Sequence, residues 1–146
     1  METIDGRKFD ADAIKERASA LHVQGFNCAQ SVVCALAPEI GMDETMASRM
    51  AEGFGAGMGG MSETCGAISG AVMALGYVNG RGMETPMNKK ATYQLSKELI
   101  DAFREKNGST ICREIKGVGT SRPPLRSCPG CIDDAIDLAV EELEAL

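Results

Sequence analysis

The chain has 146 residues, of which 44% are hydrophobic and 25% are charged. These values are typical of one globular domain, so we expect a single domain over residues 1–146 rather than a disordered chain or a two-domain enzyme. Acidic residues outnumber basic ones by 21 to 15, which gives a net charge of −6. This balance lacks the broad positive surface that binds a phosphate backbone, and it argues against a nucleic-acid partner.

The two longest uncharged stretches, residues 18–38 and 64–80, are not expected to cross a membrane. Polar residues such as His22 and Asn27 interrupt the first, and four glycines dilute the second. The N-terminus mixes acids and bases where a secretory signal needs a basic start and an apolar run. We therefore expect a cytoplasmic protein with no membrane partner.

Apolar residues recur at helical spacing along most of the chain, and no segment alternates as a strand does. The pattern predicts a first helix that ends at Gly25 and a second that ends before Pro38. A third is marked by Met42, Met46, Met50 and Phe54. A Gly-rich loop, Gly53–Gly60, follows it.

A helix opened by Ser62 or Thr64 is expected to lie at the centre of the fold. Its small residues would let neighbouring backbones approach closely; they are Gly66, Ala67, Gly70, Ala71 and Ala74. The same feature would suit contact between two copies of the chain, so a homodimer is an open expectation.

The remaining elements are also helical. One helix is predicted from Pro86 to about Lys106, and a short one after Ser109. The last helix carries an apolar stripe, and its acidic residues are expected to face water: Asp133, Asp134, Asp137, Glu141 and Glu144. The predicted fold is an all-α, single-domain bundle of about six helices with a Gly-rich loop before the central helix.

Cysteine is the informative residue type. The six are Cys28, Cys34, Cys65, Cys112, Cys128 and Cys131. In a reducing compartment such a set indicates metal binding or redox chemistry more often than structural disulfides. All except Cys34 fall in predicted first turns of helices, whereas Cys34 lies among apolar residues and is assigned to the core.

A helix N-terminus carries partial positive charge and free N–H donors, so it favours a thiolate over a thiol. Several such termini that converge would make either a reactive dithiol or a set of metal ligands. The alternative is that cysteine serves as a small hydrophobic residue in a tightly packed core, which is less convincing for four positions at once.

Cys128 and Cys131 form a C-x-x-C pair at a helix start, as in dithiol oxidoreductases. In that chemistry Cys65 or Cys128 would be the nucleophile, and a neighbour such as Cys131 would resolve the mixed disulfide. No βαβ pattern precedes the pair, so a thioredoxin fold is not expected. A zinc site would need two more ligands, drawn from Cys28, Cys65, Cys112 or His22.

The segment GFGAGMGG contains G-x-G-x-x-G as Gly55, Gly57 and Gly60. A dinucleotide site is not favoured, because the segment follows a helix rather than a strand. Two interpretations stay open: a loop that delivers backbone N–H groups to the turn around Cys65, or a close-packed connection. His22 is expected to pack or cap a helix rather than to bind metal.

Five short stretches carry a family resemblance: NCAQ (27–30), FGAGMGG (54–60), CGAISG (65–70), STICRE (109–114) and Cys-Pro (128–129). In this order they resemble the C_GCAxxG_C_C family, which is labelled redox-active from its cysteines. The resemblance covers nearly the whole chain, although the family name writes Gly before Cys and this chain has Cys65 before Gly66.

The resemblance implies that the family's four cysteines correspond to Cys28, Cys65, Cys112 and Cys128, with Cys131 an addition. A related domain occurs in cytochromes of the split-Soret type, where it is associated with haem and an iron–sulfur centre. An iron–sulfur cluster thus stays open here. A c-type haem is not expected, because Ile132 follows Cys131 where C-x-x-C-H needs histidine.

The leading hypothesis is a small redox protein whose clustered thiolates exchange with disulfides or hold an iron–sulfur cluster for electron transfer with an unidentified partner. In the cluster version, Cys28, Cys65, Cys112 and Cys128 would be the ligands. Backbone N–H groups would then support the cofactor from Gly57, Gly59, Gly60 and Gly66. One alternative is a non-catalytic module that binds zinc, although zinc is less favoured here than an iron–sulfur cluster. The other is a helical interaction domain with cysteines in its core.

Overall fold

The computed structural model describes residues 6–146, and this part of the chain is all-α, as predicted. Its seven α-helices are α1 (Ala11–Val23), α2 (Cys28–Ile40), α3 (Glu44–Ala51), α4 (Gly66–Asn79), α5 (Lys89–Asn107), α6 (Cys112–Lys116) and α7 (Cys128–Glu144). Within residues 6–146, β structure is limited to one isolated antiparallel bridge between Thr64 and Ile111. Each described helix is too short or too polar to span a membrane.

Helix α2 begins as its capping residues predict but runs further than expected. The Asn27 side chain accepts a hydrogen bond from the Gln30 N–H at 2.9 Å, and the Gln30 side chain accepts one from the Asn27 N–H at 3.1 Å. The prediction that α2 ends before Pro38 is wrong, because Pro38 lies inside the helix. A proline in the last turn removes a single backbone hydrogen bond, and the buried Ile40 holds that turn against the core.

The Gly-rich segment is more compact than the predicted loop. It contains a 3₁₀ turn at Glu52–Phe54 and a tight irregular turn at Gly57–Met61, in which Met58 and Gly59 have positive φ. Helix α4 then starts at Gly66 with Cys65 as its N-cap, later than the predicted start at Ser62 or Thr64. This shift places Cys65 at the very beginning of the helix.

Helix α4 is central, as predicted, and contacts α2, α5 and α7. It is closest to α2, because Gly70 lies against the α2 backbone at Ala29. The core around these helices includes fully buried Leu36, Ile68 and Phe103. The small residues of α4 therefore serve close helix packing within the chain.

The Gly70→Ala variant should lower the free energy of unfolding by about 1–3 kcal/mol, because overpacking outweighs the gain in helix propensity. A Cβ at this position would lie 2.5 Å from the Ala29 carbonyl oxygen and 3.2 Å from the Val32 Cβ. Gly76→Ala is the matched control in the same helix, since a Cβ there meets nothing within 4 Å. In urea unfolding, Gly76→Ala should have a free energy of unfolding equal to or higher than that of the parent. If both variants changed this free energy equally, the packing argument would be contradicted.

The prediction that the acidic residues of α7 all face water is wrong for Asp134, which is 2% exposed. Its carboxylate accepts hydrogen bonds from Asn107 Nδ2 and Arg126 Nε, each at 3.1 Å, and pairs with Lys106 Nζ at 3.0 Å. Burial is tolerated because these donors satisfy both carboxylate oxygens. The network joins α5, α7 and the segment that precedes α7.

Candidate functional site

Five of the six cysteines line one cavity of about 210 Å³. Each of them belongs to the start of a helix. Cys28, Cys112 and Cys128 are the first residues of α2, α6 and α7, Cys65 is the N-cap of α4, and Cys131 lies three residues into α7. The predicted first-turn position is confirmed for Cys28, Cys112, Cys128 and Cys131, whereas Cys65 lies one residue before α4. The four helix starts face a shared space.

Backbone hydrogen bonds hold the starts of α4 and α6 side by side. The Cys65 N–H donates to the Thr110 carbonyl at 2.8 Å, and the Cys112 N–H donates to the Glu63 carbonyl at 2.9 Å. Gly57 sits against this junction with a φ of +55°, and a Cβ there would lie 2.5 Å from the Cys112 Cβ. The Gly-rich segment thus acts here as a close-packed support for the cysteine cavity.

Cys28 and Cys128 form the more accessible of two thiol pairs. A hydrogen bond from Cys28 lowers the pKa of Cys128 to about 5 against the opposing effect of burial, and the ammonium group of Lys116 lowers it further. The same hydrogen bond, together with burial, raises the pKa of Cys28. Cys128 is therefore the thiolate of the pair and Cys28 the thiol.

Cys65 and Cys131 form the second pair, which is almost fully buried. A hydrogen bond from Cys131 lowers the pKa of Cys65 to about 7, burial opposes this, and the Ala67 and Ile68 amides at the start of α4 favour the thiolate. That hydrogen bond and burial raise the pKa of Cys131. Each pair thus combines a stabilised thiolate with a thiol that donates to it.

Cys112 belongs to neither pair. It is 4% exposed, and burial raises its pKa. Cys34 lies apart from the cavity, as predicted, in a second core cluster with Ala29 and Ala47. Its thiol is within 3.7 Å of the Glu44 carbonyl oxygen, and burial raises its pKa.

The comparison with family models identifies the kind of protein. The model of a family described as "Putative redox-active protein (C_GCAxxG_C_C)" matches residues 26–142. The chain belongs to this family. The matched range contains all six cysteines and all four helix starts of the cavity. No curated protein and no solved structure matches the chain.

Within this C_GCAxxG_C_C chain, the glycines proposed as cofactor-binding residues occupy different surroundings. Gly66 lines the cysteine cavity, whereas Gly57 is buried behind Cys112. Gly59 and Gly60 are exposed, with space around the position of a Cβ. His22, in the last turn of α1, also lines the cavity.

The predicted metal ligands are Cys28, Cys65, Cys112 and Cys128, and all four line the cavity. Among residues 6–146, however, no three or more His, Cys, Asp or Glu side chains form a group that could hold a metal ion. The iron–sulfur and zinc ligand sets stay predictions.

Two basic residues lie at the site although the sequence pattern predicted no role there for either of them. Lys116 donates to Cys128 Sγ, although the two residues belong to different helices. Its position four residues after Cys112 was a signal that its side chain would reach the face of α6 that carries a cysteine. Arg126, in the segment that precedes α7, lines the cavity and binds the buried Asp134.

Proposed function

We propose that this protein is a thiol–disulfide redox protein whose working groups are the pairs Cys28–Cys128 and Cys65–Cys131. The observation that carries the proposal is that Cys28, Cys65, Cys128 and Cys131 line one cavity from the starts of three helices. Within it, Cys28 lowers the pKa of Cys128 and Cys131 lowers the pKa of Cys65, so each pair holds a stabilised thiolate. A thiolate beside a thiol is the arrangement that disulfide exchange needs, because one attacks and the other resolves. Membership of a family described as redox-active supports this chemistry.

Cys128 is the proposed nucleophile towards outside disulfides. Its thiolate attacks one sulfur of a disulfide R–S–S–R, which forms a mixed disulfide and releases one thiolate, R–S⁻. Cys28 then loses its proton and attacks the Cys128 sulfur, which forms the Cys28–Cys128 disulfide and releases the second R–S⁻. The two electrons of the dithiol pass to the outside disulfide, and the reverse sequence reduces the protein.

The test is a thiol count with metal analysis on protein purified without oxygen. Fully reduced protein should contain six thiols. Excess glutathione disulfide should remove four of them, and peptide mapping should find Cys28–Cys128 and Cys65–Cys131. The Cys34→Ser variant should start with one thiol fewer and still lose four.

Two outcomes would overturn the proposal. Stoichiometric iron with visible sulfur-to-iron bands would show that the thiolates hold a cluster, and stoichiometric zinc would indicate a structural metal site. A metal-free protein that loses no thiols to glutathione disulfide would instead favour cysteines that only fill the core.

A further inference from the structure

The two cysteine pairs differ in their access to solvent. Cys28 and Cys128 are partly exposed, whereas Cys65 and Cys131 are 7% and 2% exposed. The cavity that all four cysteines line has a volume of about 210 Å³, and the inner sulfurs lie at its buried side. A disulfide with two peptide arms therefore meets the partly exposed Cys128 far more readily than the buried inner sulfurs.

Helix α7 connects the two pairs. Cys128 and Cys131 are three residues apart in its first turns, so their side chains lie on neighbouring positions of one helix face. Cys128 pairs with Cys28 from α2, and Cys131 pairs with Cys65 from α4. All four side chains line the same cavity.

We propose that Cys131 relays disulfide exchange between the outer pair, Cys28–Cys128, and the inner pair, Cys65–Cys131, so that the chain stores four electrons rather than two. The inference rests on the proposed thiol–disulfide function and adds a route within it. The inner dithiol exchanges with outside disulfides through Cys128 alone, and the C-x-x-C disulfide Cys128–Cys131 is the intermediate.

Once an outside disulfide has oxidised the outer pair, the relay needs no further oxidant or reductant. Cys131 loses its proton and attacks the Cys128 sulfur, which forms the Cys128–Cys131 bond and releases Cys28, which takes up a proton. The Cys65 thiolate then attacks the Cys131 sulfur, which forms the Cys65–Cys131 bond and releases Cys128 as a thiolate. The inner pair has lost two electrons, and the outer pair is again a dithiol.

The test follows each disulfide in time after glutathione disulfide is added to reduced protein. Samples are quenched by alkylation, and the disulfide peptides are quantified by mass spectrometry. In the parent chain, Cys28–Cys128 should form first and Cys65–Cys131 later, with four thiols lost at the end point. In Cys128→Ser, the inner disulfide should form at least about tenfold more slowly, because the outer disulfide that Cys131 attacks cannot form.

Two further variants separate the relay from simple damage to the fold. Cys131→Ser should stop at Cys28–Cys128, with two thiols lost, whereas the matched core variant Cys34→Ser should lose four. Diamide, a small oxidant that acts without a bulky disulfide, should still form Cys65–Cys131 in Cys128→Ser at a rate close to that of the parent chain. That result would show that the inner pair is intact in the variant.

The outcomes distinguish this inference from the function on which it rests. If the parent chain forms neither disulfide, the proposed function fails. If the parent chain forms both, and Cys128→Ser forms Cys65–Cys131 at the parent rate with glutathione disulfide, the inner pair is oxidised directly and the relay alone is overturned. A failure of diamide to form the inner disulfide in Cys128→Ser would also overturn it, because the second pair would then depend on Cys128 for its geometry.

Discussion

Iodoacetamide should alkylate Cys128 with a pH midpoint near 5, because the hydrogen bond from Cys28 and the charge of Lys116 lower the pKa of this thiol to about 5. An unperturbed cysteine has a pKa of about 8.5, so at pH 6 well under about 1% of it is thiolate, against about 90% for Cys128. A low-pKa thiolate is a weaker nucleophile, which removes most of this advantage. A net rate about five to ten times that of a model thiol is expected at pH 6. The measurement is the alkylation rate of the Cys128 peptide by mass spectrometry from pH 4 to pH 9.

Lys116 offers a matched pair of variants for this prediction. Lys116→Met removes the ammonium group that contacts Cys128 Sγ, and the midpoint should rise by about one to two pH units. Lys116→Arg keeps a positive charge beside the sulfur and should keep most of the shift. If Lys116→Met left the midpoint unchanged, the cation would play no part in stabilising the thiolate.

Two substitutions at Cys28 form a second matched set of variants, because its hydrogen bond is the largest influence on the pKa of Cys128. Cys28→Ala removes the donor and should raise the midpoint, whereas Cys28→Ser can still donate from its hydroxyl group and should raise it less. Equal midpoints in the two variants would show that packing around Cys28, rather than its hydrogen bond, sets the reactivity.

The placement of the cysteines at helix starts could be predicted because the signals are local. Asn27 caps α2 and Ser127 caps α7 through their own side chains, and each cap directly precedes a cysteine. The resulting first-turn positions already imply positive backbone potential around the sulfurs. Cys65 agrees with that expectation, because the Ala67 and Ile68 amides favour its thiolate, whereas the thiolate of Cys128 depends on Cys28 and Lys116.

The pairing of the cysteines could not be predicted, because it depends on how four helices pack. Cys128 and Cys131 form the obvious sequence motif, yet each donates to or accepts from a cysteine of another helix. Cys28 and Cys65 come near the start of α7 because α2 and α4 approach closely at Gly70 and both helices contact α7. Helical periodicity carries no information about that arrangement.

Asp134 shows how an acidic residue on an amphipathic helix can be misjudged. The helical pattern placed Asp134 outside the apolar stripe of α7, to which the buried Ile132 and Ile136 belong. In the folded chain Cys131 and Ala135 are also buried, so the buried face is wider and includes Asp134. The cations that make this burial tolerable come from α5 and from the segment before α7, and neither was linked to Asp134 by the sequence pattern.

Asp134→Asn should lower the free energy of unfolding by about 2–4 kcal/mol, because the change leaves three donors facing an amide that also donates. Burial works against ionisation of Asp134, but hydrogen bonds from Lys106, Arg126 and Asn107 prevail and hold its pKa below the usual range. A lowered pKa in the folded state gives stability that is present above the unfolded value of about 3.9 and is lost as the pH falls through the folded value. The measurement is urea unfolding at pH 7 and at several values below pH 4.

Asp133→Asn is the matched control, because Asp133 is the next residue of the same helix and remains partly exposed. It should change the free energy of unfolding by less than about 0.5 kcal/mol. The difference in the free energy of unfolding between Asp134→Asn and the parent chain should become smaller in acid, since protonation removes the same charge from the parent. A difference in the free energy of unfolding that stays constant down to the lowest pH would contradict the ion-pair argument. It would show that the effect comes from packing alone.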